Sequence, residues 1–223
     1  NPAFIAKLLI KYKNGKTEEI ITDETWKYNY GPLVRNNVYL GEVYDARREK
    51  TGWDMPGFND DEWESVIINK GPGGGLQKEF FPPVQVTKKI IPVEVFSPKE
   101  GVFIVDMGVN FTGTYNIKLS GKKGDTITFR FGERIYDDGT LNPMTTVCGQ
   151  IKRMGVGGPG APAIAWQTDS YIFKDEEVVW YRPEFTFHTY RYMEVSGLDK
   201  KPLTSEIEGL VINSNVADNN SFS

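Results

Sequence analysis

Apolar and polar residues alternate along most of this chain. Leu8, Ile10 and Tyr12 share one parity ahead of Asn14-Gly15, and Ile20 and Thr22 resume beyond it. Strand side chains point to opposite faces in turn, and Asn-Gly supplies the positive φ angles of a tight turn, so the segment predicts a hairpin. Val102, Ile104 and Asp106 predict a further strand, Tyr115, Ile117 and Leu119 another, with a turn at 121–124. Thr126, Thr128 and Arg130 alternate with Ile127, Phe129 and Phe131, which predicts a strand with one buried face. Phe185, Phe187, Thr189 and Arg191 alternate in the same way with His188, Tyr190 and Tyr192. No segment holds a helical period over about 11 residues. Short strands punctuated by turn signals predict an all-β, antiparallel sandwich or jelly roll.

Two glycine-rich stretches, 71–75 and 155–160, interrupt the alternation. A phosphate cradle should follow a strand and open a helix, and neither stretch does, so both read as loops. The second lies in a connection at about 137–167, long enough to be functional or mobile. Its part from Met144 to Trp166 is expected at the surface, serving a neighbouring surface rather than the domain's own core.

Composition narrows the function classes. Of 223 residues 39% are hydrophobic and 25% charged, with 23 glycines and 13 prolines, proportions that suit a turn-rich β protein. Net charge is −4 and the basic residues are scattered, so the footprint of a nucleic-acid partner is absent. No apolar run approaches the ~20 residues of a membrane helix. Cys148 is the single cysteine and His188 the single histidine, too few for a Cys/His zinc site, and they form no recognisable catalytic pair. His188, in an aromatic strand, reads as a hydrogen-bonded core histidine. No basic segment followed by an apolar run opens the chain, so no signal peptide is read, and the chain is expected to be a piece of a longer one.

Five blocks of residues carry a family resemblance. They are Asp23-Glu-Thr-Trp26 with Gly31-Pro32; Gly41-Glu42 with Tyr44-Asp45-Ala46-Arg47; Gly52-Trp53 with Asp60-Asp61-Glu62-Trp63; Asp106-Met-Gly-Val-Asn-Phe-Thr-Gly113 with Phe131-Gly-Glu133 and Asp138-Gly139; and Thr168-Asp169 with Tyr171 and the strand at 185–192. In this order they resemble the non-catalytic β-sandwich modules of bacterial α-L-rhamnosidases, glycoside hydrolase family 78. The resemblance implies a galactose-binding-like jelly roll at 43–213. It places the last strands of a preceding sandwich at 1–42 and the start of a linker at 214–223. It also implies a parent enzyme, periplasmic or secreted, that removes terminal L-rhamnose from plant or microbial glycans. The catalytic carboxylates would lie in a downstream (α/α)6 barrel, so no catalytic residue is assigned here and the fragment itself is expected to be inactive. The barrel and rhamnose-containing glycans are the implied partners, with no nucleic acid and no membrane. Val109 stands where the family usually has Gln, and Thr114 where it often has Trp. If that strand lines a sugar site, an amide and a stacking ring are both missing.

The resemblance leaves a second reading open, a calcium-dependent L-rhamnose-binding, lectin-like module. Sugar binding needs a flat ring and a few fixed polar groups, and the residues assigned to it are Trp166, Asn110 and Trp53. Trp53 and Trp63 also read as core anchors of the opening strands, and Trp180 as a core residue beside Val178. Calcium needs converging oxygens, and Asp60 and Asp61 are the candidates, although 59–62 reads first as a solvated turn. Asp137-Asp138-Gly139 reads as a hairpin turn. Glu42, Asp45 and Arg47 are expected to form an ion-pair network at the module junction, because desolvated charges are costly unless paired.

Overall fold

A computed structural model of the chain describes residues 3–71, 73–75, 77–147 and 164–216. The first eight strands are β1 (Lys7–Lys11), β2 (Thr17–Ile21), β3 (Lys27–Tyr28), β4 (Leu33–Asn37), β5 (Gly41–Asp45), β6 (Glu64–Ser65), β7 (Val84–Ile90) and β8 (Glu94–Lys99). Then come β9 (Val102–Gly121), β10 (Thr126–Gly132), β11 (Arg134–Ile135), β12 (Leu141–Asn142), β13 (Asp169–Ile172), β14 (Glu177–Tyr181), β15 (His188–Ser196) and β16 (Ile207–Ser214). Among the described residues the only helical turns are three-residue 3-10 segments at 46–48, 143–145 and 204–206. The protein is all-β.

The chain falls into two compact units, Asn1–Gly31 with Lys50–Phe80, and Pro32–Glu49 with Phe81–Ser223. In the first unit β1 and β2 form the expected hairpin, with Lys11 opposite Thr17 and Gly15 at φ +85. β3 pairs with β6, and the Lys27 ammonium meets Asp60 at 2.9 Å. None of the described residues in this unit is fully buried.

The second unit is a curled sheet ordered β4-β5-β13-β10-β15-β9-β16-β7, with β8 and β14 also paired to β9. Every pairing in it is antiparallel except β5 with β13, which run parallel, Tyr44 opposite Tyr171. Strands from distant parts of a chain reach either direction equally well, whereas a tight turn enforces antiparallel neighbours. The jelly-roll boundary expected between 42 and 43 falls inside β5, which belongs wholly to this sheet.

The two strands expected at 102–106 and 115–119 are one strand with a bend. β9 pairs with β8 and β15 through its first part and with β16 and β14 through its last, so it passes from one layer of the sandwich to the other. The ladder with β15 runs from Asp106 opposite Tyr192 to Phe111 opposite Tyr190, leaving 107–110 against Arg191 alone. Gly108 takes φ +75 there, and the Asp106 carboxylate accepts from Gly108 N at 2.7 Å while meeting Arg191 Nε and Nη2 at 2.9 Å each. The sequence pattern missed the matching bulge in β15. Tyr192 leaves the parity of His188 and Tyr190, and Met193 takes the core position.

The core lies between the layers. Phe103, Val105, Tyr115, Ile117 and Leu119 of β9 meet Ile127, Phe129 and Phe131 of β10, with Tyr171, Phe173, Tyr181, Tyr190, Met193 and Ile207 filling in. Each is nearly inaccessible to water, and burying such a side chain contributes about 1.5–3 kcal/mol. Trp180, expected in this core, is on the outside. Val179 and Tyr181 take the inward positions of β14, and Val-Val-Trp-Tyr offers no polar residue from which to read the parity.

Candidate functional site

The strongest concentration of polar chemistry is buried where five strands converge. Glu42 in β5, Asp169 opening β13, His188 opening β15, Tyr115 in β9 and Tyr181 ending β14 are all buried, as are Gln167 and Thr186. Asp169 Oδ1 accepts from Glu42 N at 2.8 Å, and its Oδ2 meets His188 Nε2 at 2.9 Å and the Tyr115 hydroxyl at 3.2 Å. His188 Nδ1 lies 3.1 Å from Gln167 Oε1, and the Gln167 amide nitrogen donates to Thr146 O. That last bond orients the amide, so its oxygen faces Nδ1 while the Asp169 carboxylate faces Nε2. The ring stacks on Phe131 with centroids 3.9 Å apart. Gln167 is held at φ +47, alone among the described non-glycine residues in having a positive φ.

Glu42 takes different partners from those expected of it. Oε1 accepts from the Tyr181 hydroxyl at 3.0 Å, and Oε2 from the backbone N–H of Glu184 and Phe185 at 3.2 and 3.4 Å. Burial pushes its pKa up, the Tyr181 hydroxyl and the two backbone donors pull it down, and the nearby Asp169 charge raises it further. Burial likewise raises the Tyr115 and Tyr181 hydroxyls above the ordinary tyrosine range. Asp45 pairs with Arg47 through two bonds of 2.7 and 2.8 Å, and this guanidinium holds the Asp45 carboxyl below its usual value. The expected three-residue junction network is therefore an Asp45–Arg47 pair, with Glu42 separately engaged.

This cluster is structural chemistry. A general acid or base must come within hydrogen-bond reach of a substrate proton, and these carboxylates are shut away among rings and backbone. The remaining sequence candidates are dispersed. Trp53 is exposed in a turn of the first unit and Trp63 is partly buried there against Phe58, so neither opens the jelly roll. Asn110 is exposed on the β9 bend. Trp166 is 38% exposed with the Arg130 guanidinium 5.4 Å from its ring centroid, and Arg130 reaches Glu194 at 3.8 Å. Asp60 and Asp61 sit in a turn closed by Asn59, and among the described residues no three His, Cys, Asp or Glu groups could share an ion. Tyr136, Asp138 and Gly139 form the expected hairpin turn between β11 and β12. Cys148 and the stretch 148–163 lie outside the described residues.

Sequence reasoning singled out His188 and Glu42 but not Asp169, Tyr115, Tyr181 or Gln167 as their partners. Asp169 was findable, because it shares the inward parity of Tyr171 and Phe173. Tyr115 and Tyr181 read simply as core residues. Thr114, which replaces the family's frequent Trp, is buried, and its Oγ1 is the one buried side-chain polar atom without a hydrogen-bond partner among the described residues.

Fold and site together define a β-sandwich module with a polar, solvent-shielded clasp in its core. Comparison with known proteins then gives the family. The α-L-rhamnosidase N-terminal domain matches residues 1–88, and the bacterial α-L-rhamnosidase concanavalin-like domain matches 97–213. The chain belongs to the bacterial α-L-rhamnosidase family. It is 33% identical to an α-L-rhamnosidase of Streptomyces avermitilis over 95% of this chain and 19% of that protein. Its fold matches the α-L-rhamnosidase structure from Dictyoglumus thermophilum with a TM-score of 0.82 and 38% identity, over 95% of this chain and 22% of that one. The S. avermitilis α-L-rhamnosidase complexed with L-rhamnose also matches, with a TM-score of 0.82 and 32% identity. The chain thus spans about a fifth of the length of these relatives. Among the described residues no helix is long and apolar enough to cross a membrane.

Proposed function

We propose that this chain is an accessory, non-catalytic β region of an α-L-rhamnosidase, acting as scaffold for a catalytic domain that lies elsewhere in a longer protein. The observation that carries this reading is the match along nearly its whole length to one small part of α-L-rhamnosidases. The buried carboxylates agree with it, because each is committed to holding strands together. Residues 1–31 and 50–80 are read as part of a first accessory sandwich. The paired apolar side chains of Leu8 and Ile20, on one face of the hairpin, are uncovered, as a strand face is when the opposite layer of its sandwich is supplied from elsewhere. Residues 32–49 with 81–216 are read as the second. The substrate class of the whole enzyme is taken to be glycans with terminal L-rhamnose, and its place outside the cytoplasm, where such glycans occur. No observation favours a calcium-dependent lectin.

Purified 223-residue chain should release no nitrophenol from p-nitrophenyl α-L-rhamnoside, whereas the longer reading frame containing it should. Turnover by the 223-residue chain would overturn the accessory reading.

A further inference from the structure

We propose that Trp180, Phe185 and Phe187, with Val178, form the surface on which the remainder of the longer rhamnosidase chain docks. The inference rests on the accessory reading and deepens it by naming the surface. Val178 and Trp180 are 62% and 53% exposed on the outward face of β14, while their neighbours Val179 and Tyr181 pack inward. Phe185 and Phe187 are 63% and 44% exposed, just ahead of buried His188. Large apolar groups placed singly need no explanation, but a contiguous group marks a contact surface.

These residues are contiguous through the topology. β14 and the start of β15 lie end to end along the same side of β9, with Tyr181 opposite Ile117 and His188 opposite Gly113. Trp180 stands opposite Lys118, and Phe187 directly precedes His188, which stands opposite Gly113, so the registers of Trp180 and His188 lie five β9 residues apart, roughly 17 Å at about 3.3 Å per residue. An interface side of about 800 Å² covers that span easily. Among the described residues β14 is paired on one side only, by β9, and so presents an open edge.

The surface is also rigidly supported. Residues 182–187 lie outside the β9 ladder, and Glu42 holds this segment by accepting from Glu184 N and Phe185 N, and from the Tyr181 hydroxyl just before it. His188 fixes the other end through Asp169. A buried carboxylate is costly to keep, and here its bonds fix the backbone of an exposed aromatic segment. Fixing a contact segment in advance lowers the ordering cost of association.

The side chains favour a protein occupant over a sugar. A sugar platform combines a ring with unengaged polar groups converging on one ligand. Phe185, Phe187 and Val178 carry no polar atom. The polar side chains nearby on the outer face of β9 and β16 are engaged with one another: Lys118 with Glu206, Asn116 with Glu208, and Glu208 with Lys89. Apolar anchors beside a self-satisfied polar rim have the composition of a protein interface. The related chains, of which this one covers 19–22%, extend far enough to provide the partner.

The test compares the 223-residue chain with the full-length reading frame that contains it. Backbone amides of 177–181 should exchange at least tenfold more slowly in the full-length protein. The double substitution Trp180→Ser/Phe187→Ser should lower the full-length protein's Tm by several degrees and leave that of the 223-residue chain unchanged. Equal exchange in both proteins, with rhamnosidase activity intact in the longer one, overturns the docking surface and leaves the accessory reading standing. Loss of the accessory reading would show separately, as an inactive full-length protein. Protection of 177–181 in the short chain on adding a rhamnose oligosaccharide would overturn the proposal in favour of a sugar platform. Self-association of the short chain that the double substitution abolishes would overturn it in favour of a second copy.

Discussion

At the scale of single residues, the buried clasp makes two predictions. Asp169 serves β5, β9 and β15 at once, so Asp169→Ala leaves His188, Tyr115 and the Glu42 N–H without their shared acceptor. Leaving a buried polar group without its hydrogen-bond partner costs about 1–3 kcal/mol, and urea unfolding should register a loss of at least that size. A loss under about 1 kcal/mol would mean the cluster is not a stabilising element. Glu42 gives a pH signature. Its pKa is raised in the folded protein, chiefly by burial, so the native state keeps this proton to higher pH than the unfolded chain. Its stabilising contribution is therefore complete below the unfolded value of about 4.3 and fades as pH rises through the folded value. Glu42→Gln removes that titration and should gain on the wild type over the pH interval that opens at the unfolded value of about 4.3, as read in unfolding experiments. The idea is wrong if the wild type gains on the variant over that interval.

At the scale of elements, β9 organises the second unit, because one strand supplies edges to both layers. Gly113 is where it passes closest to β16: a methyl group there would collide with the Leu210 carbonyl oxygen. Gly113→Ala should therefore push β16 away and cost about 1–3 kcal/mol, the range for overpacking, visible as a lower Tm. The wild-type Tm in this variant would show that the two strands separate freely. Elements were legible where polar and apolar residues truly alternate, as in 126–132. They were illegible where both faces are apolar, as in Val178-Val179-Trp180-Tyr181, or where a bulge resets the parity, as at Arg191. The bend in β9 left a trace in the sequence, since Gly108 lies between Asp106 and the next apolar stretch. The pairing of Asp106 with Arg191, 85 positions away, did not.

At the scale of the whole molecule, the two units differ in what holds them. The second has a continuous aromatic core, whereas the described residues of the first, 3–31 and 50–71 with 73–75 and 77–80, include none that is fully buried. Local opening free energy follows buried apolar contact, so the first unit should open far more readily. Brief trypsin treatment of the native chain should cut within 1–31 or 50–80 first and leave two resistant pieces, one containing 32–49 and one beginning near residue 81, read by mass spectrometry. Initial cleavage within β9, β10 or β15 would contradict the difference in stability between the units.

The sequence alone determined the all-β class, the hairpin at Asn14-Gly15, most of the buried faces and the family resemblance. Each of these is local: a two-residue period, a turn dipeptide or a short motif is written in neighbouring positions. Only the tertiary structure decided that 33–45 joins the later sheet, that β5 runs parallel to β13, and that Glu42, Asp169 and His188 form one clasp. It alone also decided that Trp180 faces outward. These features depend on which distant strands become neighbours and which face each turns inward. Burial and hydrogen-bond satisfaction over the whole sandwich settle that, and no local pattern encodes it.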